Sequence, residues 1–179
     1  MKWVGCWAGC RVIAVLGALL LGGCVTLFGG KNRAIATVAP TQGSQAKGTV
    51  WFEQRGARVM VMVDLHGLSP GSEHGFHVHE RGDCSAPDAA SAGGHFNPDD
   101  RPHGHDSISP RPAGGLPNLK ADSRGIAKVS FEVDGISVWT GPRSIIGRSL
   151  VVHSGSGDYR SQPAGNSSSR IGCGVIGLQ

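Results

Sequence analysis

Two histidines separated by a single residue are the clearest chemical signal in this sequence of 179 residues. They are His77 and His79, in the stretch GFHVHE. Residues two apart on a β-strand point to the same face, so both imidazoles would lie together while Phe76 and Val78 face a core. Paired imidazoles suit copper or zinc. By itself, however, the H-x-H pattern is explained in most cases by chance or by a polar strand face.

Two further histidines can complete a metal site with this pair. His95 occurs in GGHFNP, which is typical of a loop, and His153 ends the apolar segment LVVH. A side chain at the end of a strand can face a site that a loop covers. With His77 and His79 they make four imidazoles, the set that Cu(II) prefers in a roughly planar arrangement.

The segment that starts at His95 begins like a metal-binding loop and then changes character. His95, His103 and His105 fall within eleven residues, and the twelve residues 107–118 contain neither histidine nor carboxylate. The pattern leaves three interpretations open: a metal loop, half of one, or a polar loop with chance histidines. The carboxylates beside the three histidines are Asp99, Asp100 and Asp106.

The elements that must position these side chains are β-strands. ARVMVMVDL alternates strictly between two faces, and helix-type periodicity is absent after residue 30. Many short strands with turn signals favour a sandwich or barrel. Two long irregular stretches, residues 81–116 and 154–170, are predicted to be functional loops. The other strand-like stretches are AIATVAP, GTVWFEQ, HGFHVHE, both halves of LKADSRGIAKVSFEV, RSLVVH and IGCGVIGL.

The N-terminus has the features of a secretory signal. Lys2 and Arg11 precede an apolar run from Val12 to Leu21, which is too short for a membrane span. The run ends in LGGC, which resembles a bacterial lipobox, and this predicts a lipoprotein signal peptide over 1–23 and a lipid on Cys24. The alternative is an ordinary signal peptide with a chance cysteine. Residues 24–33 would form a tether and 34–179 the folded domain.

The residue after the lipidated cysteine and the remaining cysteines indicate the compartment. Val25 takes the place of the aspartate associated with inner-membrane retention, which favours an outer-membrane anchor facing the periplasm. Cleavage removes Cys6 and Cys10, and lipidation uses Cys24. Cys84 and Cys173 then remain as an even pair in an oxidising compartment. A disulfide between them is therefore expected.

The charge of the chain gives little support for nucleic-acid binding. The net charge of +4 falls to +2 once Lys2 and Arg11 are removed with the signal. The basic residues are scattered along the chain and are not interleaved with aromatic residues. We therefore expect no nucleic-acid partner.

Four blocks of the sequence resemble the copper/zinc superoxide dismutases. They are GFHVHERGDC, GGHFNP, IIGRSLVVH and SRIGCGVIG, and they occur in the order of that family across residues 34–179. The resemblance implies a Greek-key β-sandwich or flattened barrel of about eight antiparallel strands. It also implies superoxide as substrate, copper as cofactor and either a monomer or a homodimer.

The resemblance also implies roles for single residues. His77, His79 and His153 match copper ligands, and His95 matches the imidazole that bridges copper and zinc and carries a proton. Arg170, in SRIGCG, matches the arginine that guides the superoxide anion. Cys84 and Cys173 match the family disulfide.

The zinc half of the resemblance is incomplete. The family's zinc ligands fall at positions 95, 103, 112 and 115, and the last two are Pro112 and Gly115, which offer no ligand. His105 and Asp106 are provisional substitutes. We expect bound copper, with the zinc site either absent or rebuilt from other ligands. The sequence therefore leaves zinc binding as an open alternative. The family's aspartate between the two metal sites has Asp158 as its nearest counterpart here, and Gly157 stands at the more usual spacing.

Three functions remain on these observations. The first is a copper-dependent superoxide dismutase outside the cytoplasm, anchored to a membrane through Cys24. The second is a copper-binding or copper-delivery protein on the same fold with weak or no dismutase activity. The third, a structural sandwich, predicts eroded copper ligands, which the sequence does not have.

Overall fold

Alternation between buried and exposed side chains produces most strands of this chain. The computed structural model describes residues 32–104, 111–162 and 164–179. In Arg58–His66, the residues Val59, Val61, Val63 and Leu65 are buried, and the intervening side chains face outward. The predicted signal peptide, Cys24, His105 and Asp106 lie outside the described residues.

Nine β-strands form within the described residues, and the single helical element there is a 3₁₀ turn at Ala90–Ala92. Two of the strands, Glu73–His74 and Leu119–Lys120, are only two residues long. No helix in the described ranges is long and apolar enough to cross a membrane. The strands are β1 (Arg33–Pro40), β2 (Lys47–Arg55), β3 (Arg58–His66), β4 (Glu73–His74), β5 (Phe76–His79), β6 (Leu119–Lys120), β7 (Ala127–Val133), β8 (Ser149–His153) and β9 (Arg170–Leu178).

The strands pair entirely in the antiparallel sense, as an all-β Greek-key fold requires. Seven of them form one curled sheet in the order β5-β8-β9-β1-β2-β3-β7, and β4 pairs with β6 in a small second sheet. The first and last strands are therefore neighbours in the middle of the large sheet. This confirms the predicted fold class, with one more strand than the sequence indicates.

The extra strand arises from a break at Gly75 in the stretch HGFHVHE. The amide of Gly75 donates to the carbonyl of Gly155, and its own carbonyl accepts from the amide of His153. These bonds tie the chain to the end of β8 and separate β4 from β5. The break brings the β5 histidines next to His153.

The core and the two long loops define where a site can form. Phe52, Phe76 and Ile176 are among the fully buried side chains, and β8 is buried along its whole length. The first loop connects β5 to β6, and the second connects β8 to β9. The two loops meet where the amide of His103, in the first, donates to the side-chain oxygen of Gln162, in the second, at 2.8 Å.

Candidate metal centre

His77 and His79 lie on β5, which pairs with β8. Opposite them in the register are Val151 and Ser149. Both imidazoles are buried, at 1% exposure each, and Phe76 and Val78 pack in the apolar core. The strand therefore separates an apolar face from a face that carries two imidazoles, as the sequence predicts.

His95 is brought to β5 by a short strand-like pairing of the first long loop. An isolated bridge pairs His79 with His95, and the amide of Phe96 donates to the carbonyl of Val78 over 2.9 Å. The amide of Val78 donates in turn to the carbonyl of Gly114, whose own amide donates to the carbonyl of Phe96. Two segments of the loop thus lie along the edge of β5 that faces away from β8.

The four predicted copper ligands meet at one place. His77, His79, His95 and His153 each offer one nitrogen, and these nitrogens all lie within 4.8 Å of one another. The ring centroids of His77 and His95 are 4.0 Å apart, and those of His79 and His153 are 5.7 Å apart. The structure brings together residues that are far apart in the chain.

Backbone carbonyls decide which nitrogen of two imidazoles faces the cluster. His79 Nδ1 is hydrogen-bonded to the carbonyl of Gly93 at 2.9 Å, and His153 Nδ1 to that of Ser168 at 3.2 Å. Each Nδ1–H donates, so each Nε2 is left with a free lone pair. Sequence reasoning missed both carbonyls, because every residue carries one.

The nitrogens that face the cluster have no protein partner among the described residues. They are buried, and a buried polar atom without a hydrogen bond is costly unless something else satisfies it. A metal ion with a preference for imidazole does so, and the four-nitrogen set suits copper. The residues present therefore fit copper. The unpartnered atoms are His77 Nδ1, His79 Nε2, His153 Nε2 and both ring nitrogens of His95.

Burial keeps these imidazoles neutral. It lowers the pKa of His79 to about 2, that of His95 to about 3 and that of His153 to about 4, with neighbouring positive groups as a smaller cause. The pKa of His77 is also well below its usual value, chiefly through burial. Neutral imidazole is the form that binds a metal, so the site is ready to bind at neutral pH.

Arg170 begins β9 directly opposite His153 in the register. Its guanidinium is fixed by two short hydrogen bonds, from Nη1 to the carbonyl of Ala89 and from Nη2 to that of Gly93, both 2.6 Å. Its charge helps to lower the pKa of His79, His95 and His153. The predicted guide residue thus stands beside the cluster and shares the Gly93 carbonyl with His79.

A disulfide joins the first long loop to the last strand. Cys84 and Cys173 are bonded at 2.06 Å between sulfurs. Val151 lies opposite Cys173 in the register, and His77 lies opposite Val151 on the other side. The bond confirms the predicted pairing and fixes the loop within the same part of the sheet that carries the histidines.

The zinc half of the site has few donors in the described residues. His103 is buried, its ring centroid is 5.5 Å from that of His95, and its Nδ1 has no protein partner there. Pro112 and Gly115 supply no ligand side chain. The carboxylate of Asp99 is paired with Arg143 at 2.8 Å. The gap beside His77 and His103 is too narrow to admit a water molecule, and it is lined also by Gly104, Arg111, Gly115, Leu116 and Tyr159.

The position between the two half-sites is filled by backbone. A Cβ added at Gly157 would lie 3.9 Å from His77 Nε2, so a side chain there would reach the histidine. Asn118 holds Gly157 instead, by donating to its carbonyl at 3.0 Å and accepting from its amide at 3.1 Å. Sequence reasoning missed Asn118.

Asp158 lies next to this position and makes hydrogen bonds within its own loop. Its carboxylate accepts from the amides of Arg160 and Ser161 and from the Ser161 hydroxyl. These bonds lower its pKa to about 2. Its charge also acts to raise the pKa of His103, although burial is the larger effect there and lowers it.

An all-β fold with four converging imidazoles, a fixed arginine and a disulfide-pinned loop defines a β-sandwich metalloprotein. The family model described as copper/zinc superoxide dismutase matches residues 46–176. The chain therefore belongs to the copper/zinc superoxide dismutase family, whose members are oxidoreductases that use copper and zinc.

Several proteins are similar to this chain over most of its length. A superoxide dismutase [Cu-Zn] of Yarrowia lipolytica is 42% identical and covers 80% of this chain and 98% of its own. An extracellular superoxide dismutase [Cu-Zn] of Drosophila melanogaster is 42% identical, with coverages of 79% and 82%. The crystal structure of the clock protein EA4 has a TM-score of 0.75 and 37% identity, and covers 83% of this chain and 95% of its own.

Proposed function

We propose that this protein dismutates superoxide with copper held by His77, His79, His95 and His153. The observation that carries the proposal is the convergence of these four imidazoles, with their nitrogens within 4.8 Å of one another. Copper, when bound, supplies one-electron transfer by alternating between Cu(II) and Cu(I). Two superoxide ions and two protons then give one O₂ and one hydrogen peroxide.

Arg170 is assigned the capture of the anion. Two carbonyl bonds fix its guanidinium, and further N–H donors of the fork remain available for a small anion. A fixed positive charge also raises the local concentration of the substrate, an effect that salt screens.

His95 is assigned the role of supplying a proton to the reduced substrate. Both of its ring nitrogens are free of protein partners, whereas His79 and His153 commit Nδ1 to a carbonyl. A proton held on a His95 nitrogen lies within the cluster, where the reduced substrate needs it. The residue is only half-buried, but both ring nitrogens are themselves buried, which limits exchange of this proton with bulk water.

The test is the rate of superoxide removal by purified, copper-loaded protein. We expect a rate that exceeds that of free copper at the same concentration and falls as ionic strength rises. Activity no greater than that of free copper would overturn the proposal. That result would favour a copper-binding or copper-delivery protein. We prefer the dismutase because a copper-binding or copper-delivery protein has no need for an anion-guiding arginine beside the metal.

The metal content is proposed to be copper without a stably bound zinc ion. Pro112 and Gly115 support this, because neither offers a ligand where the family has one. His103 and the provisional ligands His105 and Asp106 are the donors from which a rearranged zinc site would have to be built. Metal analysis of protein folded with both metals in excess decides the matter: stoichiometric zinc that survives dialysis would contradict the proposal.

The working compartment is proposed to be the periplasm, with the chain anchored by a lipid on Cys24. The lipobox-like LGGC and the Cys84–Cys173 disulfide support this, since disulfides persist in oxidising compartments. The test is palmitate incorporation in a bacterium with two membranes. Label that is lost in Cys24→Ala supports the anchor, and secretion of unlabelled wild-type protein contradicts it.

A further inference from the structure

Arg111 stands at the start of the turn that replaces the zinc ligands. Its side chain is only 10% exposed, although the carboxylate with which it pairs is 79% exposed. Nη1 donates to the carbonyl of Gly115 at 2.9 Å, and Nη2 donates to the carboxylate of Asp134 at 2.8 Å. One guanidinium therefore joins this turn to the segment that follows β7.

The turn that Arg111 holds lies directly against a proposed copper ligand. An isolated bridge pairs Gly115 with His77, and the amide of Leu116 donates to the carbonyl of Phe76. The amide of Gly115 also closes the turn on the carbonyl of Pro112 at 3.0 Å. A shift of Gly115 would therefore move the backbone that carries His77.

We propose that Arg111 is a positioning residue for the copper centre, acting through Gly115 on His77; its effect on copper rests on the proposed function. The turn carries no ligand side chain in this chain, so no metal bond can hold it at positions 112 and 115. The bond to the Gly115 carbonyl holds it instead.

The two bonds of Arg111 are of unequal weight. An ion pair with an exposed carboxylate contributes little, because water screens it. A hydrogen bond from a charged donor that is itself nearly buried contributes more. The Gly115 bond is therefore the one that matters, and a lysine does not replace it, because its ammonium is strongly hydrated and lacks the fixed planar geometry that directs the arginine N–H at the carbonyl.

The experiment compares four variants of the full chain loaded with copper. Arg111→Met removes the fork and keeps the stem, Arg111→Lys keeps the charge, and Asp134→Asn keeps the Gly115 bond. Arg124→Met is the matched control, because Arg124 is 76% exposed and pairs locally with Asp122. The readouts are the Cu(II) electron paramagnetic resonance spectrum and the rate of copper release to a chelator.

We expect Arg111→Met to release copper about 10–100-fold faster, the range found for residues that orient metal ligands. Its copper hyperfine splitting should change, Arg111→Lys should behave in the same way, and Asp134→Asn and Arg124→Met should match the wild type. An unchanged spectrum and release rate in Arg111→Met would overturn the proposal, even if that variant were less stable. Should it not fold, Arg111→Lys decides by the same criteria.

The outcome is separable from that of the proposed function. Wild-type protein that binds copper through nitrogens without dismutating superoxide would remove the proposed function and leave the role of Arg111 testable by spectrum and release. Active wild-type protein, together with an unaltered spectrum in Arg111→Met, would support the proposed function and remove the role of Arg111.

Discussion

His95 and His103 lie on the same loop, yet their surroundings differ in how each is held. Around His95, the partners come from β5 and β8, and backbone bridges and carbonyls fix their orientation. Around His103, the family's remaining partners would come from the loop itself, and here they are Pro112 and Gly115. A half-site built on strands is tied to the fold, whereas one built on a loop can lose its ligands while the sandwich stays intact.

The largest effect we predict comes from the strand-built half. His77→Ala removes a buried nitrogen donor from the four-imidazole cluster. Orienting residues outside a metal site already cost about 10–100-fold, so loss of a ligand should lower activity by more than about 100-fold. Steady-state dismutation per chain, with copper content measured in parallel, checks this. Retention of a third of the activity would show that His77 is not a ligand.

Arg170 tests whether the fixed charge beside the cluster acts on the substrate. Arg170→Met should lower the rate by about tenfold at low salt, within the range that electrostatic steering supplies, and should weaken the dependence on ionic strength. Arg170→Lys keeps the charge and should retain more of the salt dependence. Rates are compared at equal copper content. A salt dependence as steep as that of the wild type in Arg170→Met would contradict the assignment.

The pH dependence of metal-free protein sharpens the comparison between the half-sites. The folded pKa values of His95 and His153, about 3 and about 4, lie below the ordinary value of 6.5. At pH values between these folded pKa values and 6.5, the unfolded chain binds more protons than the folded chain. Stability should therefore fall as pH drops below 6.5, by about 1.4 kcal/mol per pH unit for each such histidine.

Urea unfolding of the metal-free protein at several pH values between 7 and 5 measures this slope. His153→Gln should flatten it more than His103→Gln does, because the copper half holds the more strongly shifted groups. A slope that does not change in His153→Gln would mean that this imidazole titrates normally in the folded state.

The smallest effect is expected at His103. His103→Ala removes the best-placed donor of the zinc half, and we expect activity to stay within about threefold of the wild type, below the cost of a typical orienting residue. The same assay and copper analysis as for His77→Ala apply. A loss equal to that of His77→Ala would mean that a working zinc site exists after all, with ligands outside the described residues.

Much of this architecture could be predicted from side-chain patterns. The alternation in β3, the shared face of His77 and His79, and the pairing of Cys84 with Cys173 all depend on residue type and spacing, which the sequence displays. The break at Gly75 could not be predicted, because β4 and β6 are only two residues long and have no period. Neither could the acceptor roles of Gly93, Ser168 and Gly115, since those roles depend on backbone carbonyls.

The carbonyl of Gly93 accepts from both His79 and Arg170. Gly93 has a φ of 75° and a ψ of −153°, a conformation that glycine adopts far more readily than other residues, so a substitution there would strain the backbone that presents the carbonyl. In the proposed mechanism, in which His79 binds the metal and Arg170 captures the anion, both roles therefore change together when this peptide moves. A change at Gly93 that alters the affinity for substrate would then also alter the electronic environment of the metal.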